Sequence, residues 1–242
     1  MQRVGSCPSR DGRGPLVTIR LELNRIAPGV ELGPHSHGVE TIVYLAGGQL
    51  TYEHGPDLEQ RATVLPGDVL YEAPAQVHRV RNEGTIDALA LLAAAEPDPE
   101  RLMDALRRRA GDGEPVRRAA GARTVETDGI RRSFLVEPGD FGSLTFTVTE
   151  VEVAPGVEDP WHRHPGAEHA LVVFEGRGLI QVGEVEEVLE PLKGIRVLPG
   201  RPHRVRNDGR HRLRYFVCAS PGTDPTIDRQ PAKAPPAARP DA

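Results

Sequence analysis

Six histidines of this chain fall into two matching sets of three, and a metal ion is the chemistry that such sets favour. The sets are His35, His37 and His78, and then His162, His164 and His203. Two imidazoles spaced two residues apart on a strand point to the same side, because strand side chains alternate. A third imidazole from a distant strand would complete half of a metal coordination shell. The repetition predicts that one metal-binding unit occurs twice.

The sequence around the histidines predicts short strands. Residues 16–26 and 143–153 alternate apolar and polar side chains, as half-buried strands do, and residues 41–45 are β-branched and aromatic. The segment Ala-Pro-Gly-Val-Glu follows the alternating strand in both repeats and predicts a turn. Many short strands separated by such turns are typical of an all-β sandwich or barrel.

A family resemblance rests on two motifs that both repeats contain. The first is Gly, five residues, His-x-His and a nearby Glu; the second is Gly, Pro and then His-x-x-x-Asn. This double signature resembles that of the cupin superfamily, over about residues 16–95 and 124–219. The resemblance implies two tandem jelly-roll barrels, a bicupin. It also implies two metal sets, which would be His35, His37, Glu40 and His78, and then His162, His164, Glu168 and His203. The stretch from Glu40 to Leu45 is similar to pirins, one bicupin branch.

The fourth ligand has an alternative in each repeat. Glu40 follows His37 more closely than the family pattern requires, and the position seven residues before Gly48 is Thr41 instead. In the second repeat the same count from Gly176 reaches His169 rather than Glu168. A shift of one residue moves a strand side chain from one face to the other. Glu40 or Thr41, and Glu168 or His169, therefore remain open.

The resemblance implies a function that depends on metal. Neutral imidazoles with one carboxylate suit Fe²⁺, Mn²⁺, Ni²⁺, Co²⁺ or Zn²⁺, with one or two ions per chain. We expect an enzyme acting on a small polar or phenolic metabolite, first a non-haem Fe²⁺ dioxygenase, with the second barrel favoured because its first motif fits better. The alternatives are a non-oxidative isomerase, lyase, decarboxylase or cyclase, and a non-catalytic metal- or metabolite-binding protein.

Composition sets the remaining expectations. A net charge of −5 disfavours nucleic acid as a partner, and no apolar run is long enough to cross a membrane. Without an apolar N-terminal segment a cytoplasmic protein is expected, and a homodimer is compatible with the fold. Tyr44, Tyr52 and Tyr71 are pocket-lining candidates, whereas His54 and His211 have no pattern partner and are expected at the surface.

The expected domain organisation has five parts. Residues 1–14 form a loose arm, 15–95 the first barrel, 96–122 a linker with a short helix, 123–220 the second barrel and 221–242 a disordered, proline-rich tail.

Overall fold

A computed structural model describes residues 2–3, 19–95, 114–137, 140–142 and 146–220. It confirms the all-β class: its regular elements are strands, apart from two short 3₁₀ turns at Ala119–Gly121 and Asp140–Gly142. The predicted helix of the linker and the proline-rich tail lie outside the described residues. Within the same ranges, no helix is long and apolar enough to cross a bilayer.

Eight strands of the first repeat form two facing four-stranded sheets. In chain order, after the short β1 (Gln2–Arg3), they are β2 (Ile19–Ile26), β3 (Glu31–His35), β4 (Glu40–Gly47), β5 (Leu50–His54), β6 (Gln60–Val64), β7 (Val69–Glu72), β8 (His78–Arg81) and β9 (Ala88–Ala95). One sheet has the order β2-β9-β4-β7 and the other β3-β8-β5-β6. Every pairing is antiparallel, as in a jelly roll.

The C-terminal part of the expected linker, residues 114–122, adds a further strand to this barrel. Strand β10 (Val116–Arg117) pairs with β7, so the first sheet extends from β1 at one edge to β10 at the other. Val116 is buried with the interior of the first barrel. Part of the segment expected to act as linker is therefore part of the first barrel's sheet.

The second repeat has the same topology with a hairpin added. The hairpin is β11 (Arg123–Thr127) and β12 (Ile130–Val136), and the barrel strands are β13 (Thr147–Val153), β14 (Glu158–His162), β15 (Glu168–Glu175), β16 (Gly178–Val182), β17 (Val185–Leu189), β18 (Gly194–Val197), β19 (His203–Arg206) and β20 (Leu213–Ser220). The sheet orders are β11-β12-β13-β20-β15-β18 and β14-β19-β16-β17. Apart from the hairpin, this order repeats the first barrel strand for strand.

Three apolar cores follow from the alternation of the strands. Val43 and Leu45 face the interior of the first barrel, and Leu171 and Val173 face that of the second. The other face of each outer sheet contributes to a shared core that joins the barrels, in which Phe216 is fully buried. The same strands that line a barrel interior on one face therefore pack the two barrels together on the other.

Glycine is required where each motif strand ends. Gly48 follows β4 with φ +76°, and a Cβ there would lie 2.6 Å from the Cα of Ala88. Gly176 follows the equivalent β15 residues with φ +83° and packs equally closely against the backbone of Arg212. Only glycine combines this backbone conformation with such an approach. The two glycines close the loop that keeps each motif strand in register.

Candidate metal centres

The structure brings each histidine triad together. The ligand atoms of His35, His37 and His78 all lie within 4.8 Å of one another. Strands β3 and β8 place His35 directly opposite His78, although the two are distant in sequence. His37 completes the triad from the loop after β3, and not from the strand on which the sequence analysis placed it. Three imidazoles thus converge at one end of the first barrel.

The second barrel repeats this geometry. The ligand atoms of His162, His164 and His203 also lie within 4.8 Å of one another. His162 pairs with His203 across β14 and β19, and the ring centroids of these two are 4.2 Å apart. His164 and His203 are buried. The six sequence-predicted histidines are therefore assembled as two triads.

Backbone carbonyls orient four of the six rings. In each case Nδ1–H donates to the carbonyl two residues earlier: His35 to Gly33 at 2.8 Å, His78 to Gln76 at 3.0 Å, His162 to Pro160 at 2.7 Å and His203 to Arg201 at 3.0 Å. Because a carbonyl only accepts, the proton of the neutral ring lies on Nδ1 and the Nε2 lone pair is free. Metal-binding histidines commonly use this arrangement.

Glu72, which sequence reasoning missed, supplies a carboxylate to the first triad. Its Oε2 lies 3.1 Å from Nε2 of His37, and its Oε1 lies 3.3 Å from Nε2 of His78. The contact with Glu72 raises the pKa of His37, against the effect of burial, whereas burial lowers the pKa of His78. A carboxylate so close to two imidazoles is a candidate fourth ligand. No spacing motif pointed to it, since it lies on β7.

The structure does not bring Glu40 to the first triad. Glu40 shares a face of β4 with Ile42 and Tyr44, which pack in the core between the barrels. Its carboxylate accepts a hydrogen bond of 2.9 Å from the hydroxyl of Tyr71. Thr41 is on the opposite face, with the interior residues of the barrel. Strand alternation thus places Thr41, and not the carboxylate of Glu40, on the interior face of β4.

Glu168 is turned away from the second triad in the same manner. Its carboxylate forms an ion pair with Arg196 and accepts a hydrogen bond from the backbone N–H of Ile19, in the first barrel. His169 faces the barrel interior instead. Its ring stacks on that of His164, with centroids 3.7 Å apart, and lies 6.3 Å from that of His203. The structure therefore brings the alternative His169 to this triad.

Burial keeps three imidazoles of the second barrel neutral. Burial, together with a smaller effect of neighbouring histidines, lowers the pKa of His164 to about 2, that of His169 to about 3 and that of His203 to about 4. Neutral rings have the lone pair that a metal needs. Ligand protonation at neutral pH would not compete with a cation here.

Two further polar side chains lie in the first barrel near the triad. Of the three candidate tyrosines, Tyr52 faces the barrel interior, with its ring centroid 5.4 Å from that of His78, whereas Tyr44 and Tyr71 pack between the barrels. His54 was expected at the surface, but it is only 8% exposed and stacks on Tyr52. It is buried because β5 alternation places it on the same face as Tyr52.

The residues present fit a divalent metal. In the first barrel His78 Nε2, Tyr52 Oη and Thr41 Oγ1 are buried and make no hydrogen bond to any residue that the structure describes. Buried polar atoms without partners are costly, and a bound cation or ligand would satisfy them. The donors are imidazole and carboxylate, which suit transition metals rather than calcium. Both triads have the geometry of a divalent metal site.

Known proteins share this fold. Oxalate decarboxylase from Bacillus subtilis superposes with a TM-score of 0.67 at 15% identity, covering 84% of this chain and 68% of that one. A formate complex of oxalate decarboxylase from Lactobacillus farciminis gives a TM-score of 0.69 at 12% identity, with 84% and 77% covered. An uncharacterized protein of Methanocaldococcus jannaschii is 28% identical over 99 residues, which are 40% of this chain and 78% of that protein. At these identities the solved structures show the fold alone.

A family model described as the cupin domain matches the chain twice, at residues 23–94 and 149–219. The two matches coincide with the two barrels and contain both histidine triads. The chain belongs to the cupin family, as a bicupin with one histidine triad in each barrel.

Proposed function

We propose that this bicupin is a divalent-metal-dependent enzyme that acts non-oxidatively on a small carboxylate, with decarboxylation as the first reaction to test. The observation that carries the proposal is the first barrel itself. The Glu72 carboxylate contacts the histidine triad, and the ring centroid of Tyr52, whose hydroxyl is buried and makes no hydrogen bond to a described residue, lies 5.4 Å from that of His78. Such a combination of metal donors and a positioned O–H group is typical of catalytic sites.

The residues of the first barrel divide the chemistry between them. His35, His37, His78 and Glu72 would hold the cation, which when bound acts as a Lewis acid toward a carboxylate or carbonyl oxygen. Tyr52 is fully buried, and burial raises the pKa of its phenol, so the O–H group stays protonated. Breaking a carbon–carboxylate bond leaves an electron pair on carbon, and the Tyr52 O–H group can donate the proton that this carbon needs.

The second barrel has no tyrosine at the position of Tyr52. Tyr52 pairs with Val80 across β5 and β8, and Ile180 pairs with the corresponding Val205 across β16 and β19. Ile180 therefore takes the place of Tyr52, and it packs in the apolar interior. We favour the first barrel as the working site, whereas the histidine motif alone had favoured the second.

The structural relatives support a decarboxylase more than a dioxygenase. Several solved structures of this fold are named as oxalate decarboxylases, and one describes Mn(II) centres in the Bacillus subtilis enzyme. Their fold supports a divalent metal without selecting iron. We therefore propose the non-oxidative alternative in place of the Fe²⁺ dioxygenase, and oxalate as one member of the substrate panel.

The test compares carbon dioxide release with dioxygen uptake. Untagged protein is reconstituted anaerobically with Mn²⁺, Fe²⁺, Co²⁺, Ni²⁺ or Zn²⁺ and incubated with two- to six-carbon mono- and dicarboxylates, oxalate included. The variants His35→Ala/His37→Ala and His162→Ala/His164→Ala remove one triad each. We expect carbon dioxide without stoichiometric dioxygen uptake, lost when the first triad is removed. Uptake of one dioxygen per turnover would establish the dioxygenase instead, and metal binding without turnover on the panel would favour a binding protein.

A further inference from the structure

The candidate fourth donor lies on a different strand in each barrel. In the first barrel Thr41 of β4 pairs directly with Glu72 of β7. In the second barrel the equivalent strand pair, β15 and β18, places His169 opposite Val197. Each barrel thus has one strong metal donor at this pair of positions, on β7 in the first and on β15 in the second.

The exchange changes the chemical type of the donor. Glu72 is a carboxylate, 4% exposed as a side chain, and both of its oxygens lie beside imidazole nitrogens. His169 is an imidazole held against His164, and Val197 beside it is 2% exposed and cannot bind a cation. The first cluster has three imidazoles and one carboxylate, whereas the second has four imidazoles.

The net charge of the two donor sets differs as well. The first set includes the carboxylate of Glu72, whereas the second set consists of imidazoles. Val197, at the strand position of Glu72, adds no charge to the second set. Carboxylate oxygens suit Mn²⁺, whereas imidazoles suit Zn²⁺, Ni²⁺ and Cu²⁺.

We propose that the two barrels hold different metals, because the fourth ligand is Glu72 in the first barrel and His169 in the second. The first site then favours a harder ion such as Mn²⁺ relative to the second, and the second favours a late transition metal such as Zn²⁺. This inference rests on the metal-binding part of the proposed function and not on turnover. It predicts that the residues at one pair of facing strand positions set the metal preference of each barrel. These are Thr41 and Glu72 in the first barrel, and His169 and Val197 in the second.

The experiment measures each site alone. The His162→Ala/His164→Ala variant isolates the first site, and His35→Ala/His37→Ala isolates the second. Each is titrated with Mn²⁺ and with Zn²⁺ by calorimetry, and Mn²⁺ binding is also followed by electron paramagnetic resonance. We expect the ratio of Mn²⁺ to Zn²⁺ affinity to be about tenfold or more higher at the first site. Equal ratios at the two sites would overturn the proposal, as would no metal at either.

Exchanging the donors supplies the decisive variants. In the first-site background, Thr41→His/Glu72→Val should shift the ratio toward Zn²⁺. In the second-site background, His169→Thr/Val197→Glu should shift it toward Mn²⁺. A ratio that does not follow the exchanged pair would refute the assignment of the fourth ligands.

Two single variants preserve the test if an exchanged barrel does not fold. Glu72→Gln keeps the shape of the side chain, and His169→Gln keeps a polar one, and each should weaken its own site by about tenfold to a hundredfold. Circular dichroism and thermal melting check that each variant folds. Correct metal preferences without carbon dioxide release would contradict the proposed function and leave this inference intact.

Discussion

The carboxylate of Glu168 pairs with the guanidinium of Arg196 on the neighbouring strand, with Nη2 3.0 Å from Oε2, in the core between the two barrels. The same carboxylate accepts a hydrogen bond from the backbone N–H of Ile19 at 3.3 Å. A side chain adjacent to a metal-binding histidine motif therefore connects the second barrel to the first. This role is structural, and it leaves the neighbouring His169 to face the second triad.

Glu168→Gln should lower stability and leave metal content unchanged. The Glu168 side chain is 1% exposed, and losing its charge weakens the interaction with Arg196, a cost of about 1–3 kcal/mol in the free energy of unfolding. Urea denaturation and elemental analysis measure the two effects. Glu72→Gln is the matched control, with the opposite expectation: metal lost from the first barrel. Loss of metal from the second barrel in Glu168→Gln would instead make Glu168 a ligand.

Tyr52→Phe should lower kcat by about a hundredfold or more while metal content stays unchanged, because it removes a proton donor and not a ligand. Steady-state kinetics with the substrate found in the panel, together with elemental analysis, measure this effect. The control is Tyr44→Phe, which removes a hydroxyl that donates to Glu150 at 2.8 Å between the barrels. Equal kcat losses in both variants would mean that Tyr52 supports the fold and does not act in the reaction.

Asn82→Ala and Asn207→Ala should each destabilise one barrel. The amide of Asn82 donates to the carbonyls of Ile26 and Ile86, and Asn207 makes the same pair of bonds to Val153 and His211. Both side chains are almost completely buried. Each substitution removes one buried and one part-buried hydrogen bond, which costs about 1–3 kcal/mol.

Thermal or urea unfolding of the metal-free variants measures these losses. Asp208→Ala, at the exposed neighbour of Asn207, is the control and should change stability by less than about 0.5 kcal/mol. A loss as small as that of the control would show that the asparagine bonds are replaced by water.

The metal-free protein should lose stability as the pH falls below about 6.5. Burial lowers the pKa of His164, His169 and His203, so the unfolded chain binds protons that the folded chain does not. Their contribution is complete above the unfolded pKa of 6.5 and is lost progressively as the pH falls toward about 4. Each group adds a slope of about 1.4 kcal/mol per pH unit.

Urea unfolding at a series of pH values measures this slope. His169→Gln removes one of the three groups and should reduce the slope by about 1.4 kcal/mol per pH unit. Saturating metal should add stability at neutral pH, and that gain should fall as the pH falls, because protons compete for the ligand nitrogens. An unchanged slope in His169→Gln would show that its imidazole is protonated in the folded state.

The amino-acid sequence by itself determined the fold class and the two histidine triads. The His-x-His and His-x-x-x-Asn motifs occur in both halves of the chain, so the repeat itself divides the six histidines into two sets, although His37 and His164 lie just after their strands. Tertiary structure decided the fourth donor. Neighbours such as Glu40 and Thr41, or Glu168 and His169, point to opposite faces, so register alone selects between them.

Only the folded sheets place Glu72 beside His37 and His78, because its proximity arises from pairing between β4 and β7, which leaves no spacing signal in the sequence. The burial of His54 and the orientation of Tyr52 have the same origin. Local alternation could be derived from the sequence. Which face of each strand became the interior, and which groups met there, was decided by packing between strands that are distant in the chain.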